Sequence, residues 1–498
     1  MSRPYYITTA IHYPNGRPHI GHAYEMIAAD AIARFQRQQG RDVRFQTGTD
    51  EHGLKMVKTA RERGVETRAL ADEMSGYFIE MSDKLDISCD RFIRTSEPEH
   101  YASSQAIWQA MADAGDLYLD RYEGWYSVRD EAFYEEKELI DGEGGEKLSP
   151  QGTPVEWTAE ETWFFRLSKY QQPLLDHYAA NPDFIRPESR RNEILRFVEG
   201  GLIDLSVSRT SFDWGVPVPG SPNHVMYVWV DALTNYITGV GYPDRPEEFA
   251  KYWPADLHLI GKDIVRFHAV YWPAFLMSAK LALPRQIFGH GFLLNRGEKM
   301  SKSVGNVVDP MALAELYGVD ALRYFLLRDV SFGQDGTFSD EAIVTRANAD
   351  LSNSFGNLAQ RTLAFIAKNL DGMVEAGRAE PADGNLLSDV YARCEVFRNS
   401  FEDLALTQGI EHWMSGVFAC NQYIDVQAPW TLRKTDPERM HAVLSTLLKA
   451  IRHLTETIEP VIPNSARKLL DQLGHEGSKI APPTPIFPRL ELREAEQA

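Results

Sequence analysis

The chain has 498 residues, 43% of them hydrophobic, enough to bury a sizeable core over about three domains or one large domain with insertions. Its 52 Lys and Arg against 71 Asp and Glu give a net charge of -19, which excludes nucleic-acid binding through a diffuse positive field and leaves only local, shape-specific contact. Cys89, Cys394 and Cys420 lie far apart with no Cys-x-x-Cys spacing, which excludes a disulfide framework and a cysteine zinc knuckle and fits a reducing, cytoplasmic setting.

Polar and charged residues from Arg3 to Arg17 interrupt any apolar run of signal-peptide length. Tyr5 to Thr9 is β-branched and aromatic and reads as a strand, which runs into a Pro14-Asn15-Gly16 loop. A helix is expected from about Gly21 to Gln39, because Met26, Ile27, Ala31 and Phe35 recur at helical spacing and Gly40 supplies a left-handed stop. Val43 to Thr47 is then the next strand. In such a βαβ opening, ligands gather at the carboxyl ends of the strands, where both His19-Ile20-Gly21-His22 and the run Gly48 to Gly53 fall.

From about Leu117 to Pro217 the pattern changes to short aromatic stretches, Tyr122 to Tyr126 and Trp163 to Phe165, around a Gly- and Glu-rich turn at Asp141 to Glu146. This reads as an insertion between two halves of a nucleotide fold. Parallel-sheet strands are expected to resume at Tyr227 to Val230 and Leu257 to Ile260, both near-continuous apolar runs. The most apolar stretch, Phe267 to Pro284, is broken by His268, Pro273 and Lys280; it is too short to span a bilayer and reads as a buried helix.

Ser339 is an expected N-cap, with Asp340 and Glu341 in the first turn of a long helical pattern. Leu351, Phe355, Leu358, Thr362 and Phe365 form its apolar stripe. Further helices around Ile410 to Tyr423 and His441 to Thr457 imply an antiparallel bundle, followed by a Pro-rich strap from Pro482 to Pro488.

Chemistry concentrates in two places. His19 and His22, three apart, lie together in a first helical turn beside Gly21, whose bare backbone admits a nucleotide; a pair of capping or surface histidines is the alternative. Lys299 and Lys302 are compact charges in a segment with Gly297, Ser301 and Ser303, suited to gripping phosphate or simply to solvation.

In this order, the His19 to His22 run and Lys299-Met300-Ser301-Lys302-Ser303 resemble the two ATP-handling signatures of class I aminoacyl-tRNA synthetases. Over nearly the whole chain the sequence is similar to the methionyl-tRNA synthetases in particular. The matching runs are Ala10 to Gly16, Gly48 to Gly53, Tyr227 to Tyr236, Gly261 to His268 and Ala428-Pro429-Trp430. The resemblance implies an α/β Rossmann-type parallel-sheet catalytic domain at 1–116 and 218–285, split by a connective insertion at 117–217. A linking segment at 286–338 and a helical anticodon-binding domain at 339–498 follow.

It further implies a cytoplasmic methionine-tRNA ligase that activates methionine with Mg-ATP and charges tRNA(Met), with no membrane partner. His19, Gly21, His22, Lys299 and Lys302 would handle ATP, His19, His22 and the two lysines being catalytic, and Lys302 would meet the phosphates in the transition state. Methionine's side chain would lie among Ile11, Tyr13, Trp229, Ala232, Tyr236 and His268, with its ammonium on Asp50. That assignment suits the chemistry, since a thioether favours aromatic edges and a lone carboxylate pairs an ammonium. Hydrogen bonds from Tyr236 and His268 around the sulfur would help to reject leucine and isoleucine. Asn357, Arg361 and Trp430 would hold anticodon bases by stacking and edge hydrogen bonds.

Many relatives carry zinc ligands in the insertion. The matching stretches here, Ser127 to Asp130 and Ser149 to Gly152, offer neither thiolate nor imidazole, so a metal-free knuckle is expected, packed by Trp125, Tyr126, Phe133, Tyr134 and Trp157. The end near Ala498, without the appended barrel of larger relatives, implies a monomer. Two rival readings are a synthetase for cysteine, leucine, isoleucine or valine, disfavoured by the short insertion, and a nucleotidyltransferase or a non-charging tRNA-binding paralogue. The helical bundle disfavours the nucleotidyltransferase, and the intact Asp50, His19, His22 and Lys302 disfavour the paralogue.

Overall fold

The computed structural model describes residues 3–127, 129, 132–142, 145–300, 306–475 and 477–492. The chain divides into two compact units: Met1–Pro18 with Gln36–Asp83 and Ile87–His290, and His19–Phe35 with Lys84–Asp86 and Gly291–Ala498.

The first unit is built on a six-stranded parallel sheet in the order Arg91–Arg94, Val43–Thr49, Tyr5–His12, Leu257–Gly261, Ile287–His290, Ile185–Arg186. Tyr5–His12 is central, with Ile7 opposite Leu257 on one side and Phe45 on the other. Such strands are buried on both faces and read as apolar runs, which is how Tyr5 to Ile7 and Leu257 to Ile260 read. Strand order reverses at the seam between Tyr5–His12 and Leu257–Gly261, the switch point where a parallel sheet leaves a crevice beyond its carboxyl ends. Gly48 is required next to it, because a Cβ there would lie 2.0 Å from the Ile93 carbonyl oxygen.

Tyr227 to Val230 is not a strand. Val228–Thr238 is a helix, preceded by the strand Ser221–Met226. The helix is buried on almost every side, so an apolar run of strand length hid its period. Asp231, Thr234, Asn235 and Thr238 do recur at helical spacing, and all four are buried. Phe267 onward is helical as expected, opening with a π-helical turn at Phe267–Tyr271 before Trp272–Ser278.

Within the 117–217 stretch, Leu117–Ser127 and Glu156–Phe165 pair antiparallel from Leu117 opposite Phe165 to Tyr126 opposite Glu156. Ala132–Tyr134 and Leu205–Ser206 flank them. Ile185–Arg186, in the same stretch, pairs instead with the edge of the main sheet. Ser127 Oγ lies 2.7 Å from Thr153 Oγ1, which lies 2.8 Å from Ser149 Oγ, and all three residues are buried. These hydroxyls do not fit zinc, which takes thiolate, imidazole or carboxylate ligands. Among the described residues no group of His, Cys, Asp and Glu is placed to hold a metal ion. Trp125 meets Trp157 edge-on at 5.5 Å, and Tyr126 and Tyr134 are buried, whereas Trp157 is largely exposed. Val128, Asp130 and the Phe133 side chain lie outside what is described.

The second unit contains the helix Ile20–Gln38 up to Phe35, a small sheet and a helical series. Proline opens the helices Pro310–Tyr317, Pro381–Glu402, Pro429–Thr435, Pro437–Ile458 and Pro463–Leu473, where its missing N–H costs nothing. Ser339 caps Asp340–Arg346 through the Ala342 N–H at 3.1 Å. Residues Ala347–Gly356 are π-helical, and the extra residue per turn shifts the buried stripe. Leu351, Phe355, Leu358 and Thr362 are buried as expected, but Phe365 is only half-buried, and Leu363 and Ile366 take the core positions. Trp413 anchors the bundle, edge-on to Phe355 at 5.0 Å and donating to the Leu454 carbonyl at 2.8 Å. Among the described residues no helix is long and apolar enough to cross a membrane.

Candidate active site

In the first unit two groups of the expected methionine-site residues assemble. Ile11 pairs with Gly48, and Asp50 N–H donates to the His12 carbonyl at 2.9 Å, so the ends of two central strands bring Ile11, Tyr13 and Asp50 into one turn region. The Tyr13 hydroxyl accepts from Met56 N–H at 3.1 Å, and Asp50 is 8% exposed. The second group lies on the Val228–Thr238 helix and the π-helical turn. Tyr236 Oη is 2.6 Å from His268 Nε2, and His268 Nδ1 is 2.9 Å from the Ile264 carbonyl. A carbonyl only accepts, so Nδ1 carries a proton, and in the neutral ring Nε2 accepts from the Tyr236 hydroxyl. Those two side chains, expected to face a sulfur, are thus bonded to each other. Trp229 stacks on Phe267 at 3.8 Å and meets His268 edge-on at 6.1 Å. Ala232 lies buried on the same helix. Beneath Tyr236, His258 packs at 4.1 Å between ring centres and bonds Thr8 Oγ1 at 2.7 Å; burial first, and then the neighbouring His268, hold its pKa well below the usual imidazole value.

The turn that carries Asp50 is locked by residues to which the sequence reading assigns no individual role. Glu51, fully buried, accepts from Thr49 Oγ1 at 2.8 Å, Ser75 Oγ at 2.5 Å, Arg94 Nε at 2.6 Å and the Ser96 hydroxyl. His52 Nδ1 donates to Asp231 Oδ2 at 2.5 Å, joining the Asp50 turn to the helix of Trp229 and Ala232. Burial pushes the Asp231 carboxyl up, but the charges of and hydrogen bonds from His52 and His100 outweigh it and hold it down to about 2. Glu51, His52 and Asp231 stood inside the quoted runs and could have been suspected as buried charges. Arg94 and His100 carry no such signal.

In the second unit, the rings of His19 and His22 stack at 3.7 Å. His22 Nδ1 accepts from His19 N–H, and His19 Nδ1 accepts from Gly21 N–H, both at 3.1 Å, so the signature closes on itself at the start of Ile20–Gln38. A Cβ on Gly21 would stand 2.9 Å from the His19 ring; glycine here makes room for that ring. Arg296 and Gly297, both at positive φ, form the two-residue turn between Leu293–Asn295 and Glu298–Lys299. The backbone of Lys299 therefore ends a short strand. Its side chain, and all of Lys302, lie outside what is described.

Of the expected RNA-binding residues, Arg361 and Trp430 come together, the guanidinium 5.2 Å from the ring centre, while Arg361 donates to Asp425 at 2.8 Å. Trp430 is 42% exposed, unlike a core tryptophan. Asn357, one helical turn before Arg361, is exposed.

The family model described as tRNA synthetases class I (M) matches residues 5–363, and the anticodon binding domain of methionyl tRNA ligase matches 373–486. The methionine–tRNA ligase of Brucella suis biovar 1 (strain 1330) is 57% identical over 507 residues, 98% of each chain, and that of Mesorhizobium japonicum is 58% identical over 485, covering 96% of this chain and 93% of its own. The solved structure of Mycobacterium tuberculosis methionyl-tRNA synthetase in complex with methionyl-adenylate is 56% identical, with a TM-score of 0.96 over 98% of this chain and all of that one. With its parallel sheet, its two signatures and its helical bundle, the chain belongs to the methionyl-tRNA synthetase family of class I tRNA synthetases.

Proposed function

We propose that this chain joins methionine to tRNA(Met) in two steps: methionine and Mg-ATP give methionyl-adenylate and pyrophosphate, and the terminal ribose of the tRNA then takes the methionyl group. The observation that carries the amino-acid assignment is the cluster of the partly buried Trp229 with the buried Tyr236 and His268, tied through its helix to the turn of Asp50. An aromatic wall suits a polarizable thioether, and a carboxylate at the end of the sheet suits an α-ammonium. Ala232, Ile11 and Tyr13 are assigned to the same pocket.

Adenylate formation expels pyrophosphate, so the enzyme's task is to position reactants and neutralise phosphate charge. His19, Gly21 and His22 are assigned to ATP, and Lys299 and Lys302 to its phosphates, with Lys302 acting most strongly as charge develops. Mg²⁺ enters with ATP as part of the substrate. Trp430 and Arg361, adjacent and partly exposed, are assigned with Asn357 to the anticodon, where a flat ring and a guanidinium receive splayed bases. The enzyme is further proposed to work as a cytoplasmic monomer, which light scattering at micromolar concentration checks, and without zinc, which metal analysis checks.

Pyrophosphate exchange measured with each of the twenty amino acids tests the central reading. Exchange is expected with methionine. Preference for leucine, isoleucine, valine or cysteine would overturn the methionine pocket, and tRNA binding without any exchange would make the chain a non-charging paralogue.

A further inference from the structure

Asp231 stands between Trp229 and Ala232 on the Val228–Thr238 helix, yet it belongs to a different set of contacts from either. Its Oδ2 accepts from His52 Nδ1 at 2.5 Å and its Oδ1 from His100 Nε2 at 2.6 Å. Asp231 and His100 are fully buried and His52 is 1% exposed. His52 follows Asp50 by two residues, and its other nitrogen lies 3.0 Å from the Tyr101 hydroxyl. Trp214, edge-on to the His52 ring, donates to the Glu51 carbonyl at 2.6 Å and accepts from Gly53 N–H at 3.2 Å. Three consecutive residues after Asp50 are therefore pinned, and His52 is the one pinned to the pocket helix.

A buried carboxylate between two imidazoles is a costly way to gain stability, since apolar side chains of similar volume commonly serve as well. What the ionic array adds is direction and length: a hydrogen bond fixes its partners to a few tenths of an ångström, whereas apolar packing lets them slide. We infer that Asp231, acting through His52, is a positioning residue for amino-acid binding, setting the distance between the Asp50 carboxylate and the helix that carries Trp229 and Ala232. His100 holds Asp231 from its other side. The inference rests on the assignment of Asp50, Trp229 and Ala232 to methionine made above. A ligand held at its ammonium by one element and at its side chain by another is sensitive to their separation, and a misplacement of about 1 Å can cost on the order of a hundredfold.

The test uses the full chain with Asp231→Asn, His52→Leu and His52→Asn, the last keeping an N–H donor near the place of Nδ1. Each is measured in pyrophosphate exchange for the KM of methionine, the KM of ATP and kcat, with circular dichroism to establish folding. Asp231→Asn and His52→Leu are expected to raise the methionine KM about tenfold and leave the ATP KM within about twofold, the signature of lost uniform binding of one substrate. His52→Asn is expected to restore the methionine KM to within about threefold of the parent. Folded His52→Leu and Asp231→Asn proteins with an unchanged methionine KM would overturn the inference. So would equal effects of His52→Asn and His52→Leu, and so would failure of both Asp231→Asn and His52→Leu to fold, since the array would then merely hold the core together. If only His52→Leu fails to fold, the KM comparison with Asp231→Asn decides alone. Parent protein that shows no methionine-dependent exchange would instead remove the underlying methionine assignment, a result separate from any of these.

Discussion

Arg439→Met should destabilise the helical bundle by about 3 kcal/mol and weaken tRNA charging without touching methionine activation. Arg439 is 3% exposed on Pro437–Ile458. It grips Asp383 of Pro381–Glu402 with both nitrogens, at 2.6 and 2.5 Å, and donates to Gln427 Oε1 at 2.9 Å. Breaking a buried ion pair by removing one partner costs roughly 3–5 kcal/mol, because the other charge stays buried. Asp383 would keep the Tyr423 hydroxyl at 2.5 Å and Glu380 N–H at 3.0 Å, which places the expected loss at the lower end. In urea, with a slope near 2–3 kcal/mol per molar, that is a midpoint lower by about 1 M. Asp383→Asn added to Arg439→Met removes the stranded charge, its amide oxygen accepting from Glu380 N–H and its NH2 donating to the Tyr423 hydroxyl oxygen, and should recover about half of the loss or more. Unfolding followed by far-ultraviolet circular dichroism measures all three proteins and the Asp383→Asn single variant as a cycle. Gln427 ends its helix, and Ala428, at φ 43°, turns the chain into Pro429-Trp430, so a loosened Arg439 should also raise the tRNA KM severalfold. A single-variant loss under about 1 kcal/mol, or a double variant no more stable than Arg439→Met, would refute the account of a stranded buried charge.

Trp430→Ala should raise the tRNA KM about 5- to 150-fold, the equivalent of one lost base stack of roughly 1–3 kcal/mol, while pyrophosphate exchange stays at the parent rate; equal loss in both would make the ring structural. Lys302→Ala should cut the exchange kcat about a hundredfold or more and leave the methionine KM within about threefold, and the reverse pattern would reject a transition-state role. Acid should weaken the first unit in two stages. His258 has a lowered pKa when folded, so its contribution to stability is complete above the unfolded value near 6.5 and is lost as pH falls below it, at up to ~1.4 kcal/mol per pH unit. Asp231 and Asp116, also held below their usual range, contribute fully above about pH 4 and lose that contribution as pH falls through their folded values, about 2 for Asp231. Urea midpoints at several pH values check this, and His258→Gln should flatten only the upper stage; no loss between pH 7 and 5 in the parent would sink the assignment.

Local signals were legible where one physical cause acts within a few residues. Gly40 ends the first helix at φ 77°, and Ser339 caps the next long helical run as its spacing to Ala342 requires. The helices around Ile410 and His441 showed themselves because one face of each meets water. Where burial is uniform the period disappears, which is why Tyr227 to Val230 read as a strand although the polar residues of the Val228–Thr238 helix keep helical spacing. Two kinds of feature were beyond any local pattern. Ile185–Arg186 is a strand only because Ile287 and Phe288 lie beside it, about a hundred residues on. The partners of Asp231 and Glu51 lie from 2 to 179 residues away in sequence, so a motif could mark these carboxylates as unusual without saying what satisfies them.

In the 117–217 stretch a small group of buried hydroxyls satisfies itself. Buried polar groups must pair with one another or with trapped water. Here Ser127 and Ser149 both reach Thr153, and the Ser149 N–H donates to the Thr153 carbonyl at 2.8 Å, so side chains and backbone close the same small ring. A hydroxyl can donate once and accept twice, so three of them form a self-satisfied cluster where three carboxylates would repel. The stabilisation of each such bond is about 1 kcal/mol, far below that of a structural zinc site, and the remainder must come from packing. Tyr126 and Tyr134 supply it within the strands, and Arg209, buried against the Tyr126 ring at 5.3 Å and donating to Ser206 at 2.9 Å, ties the knuckle base to the neighbouring strands. A site assembled from many weak local bonds tolerates the loss of one, which a zinc site missing a ligand does not. Thr153→Val should therefore lower the stability of this segment by only about 1–3 kcal/mol, the cost of leaving two buried hydroxyls short of one partner.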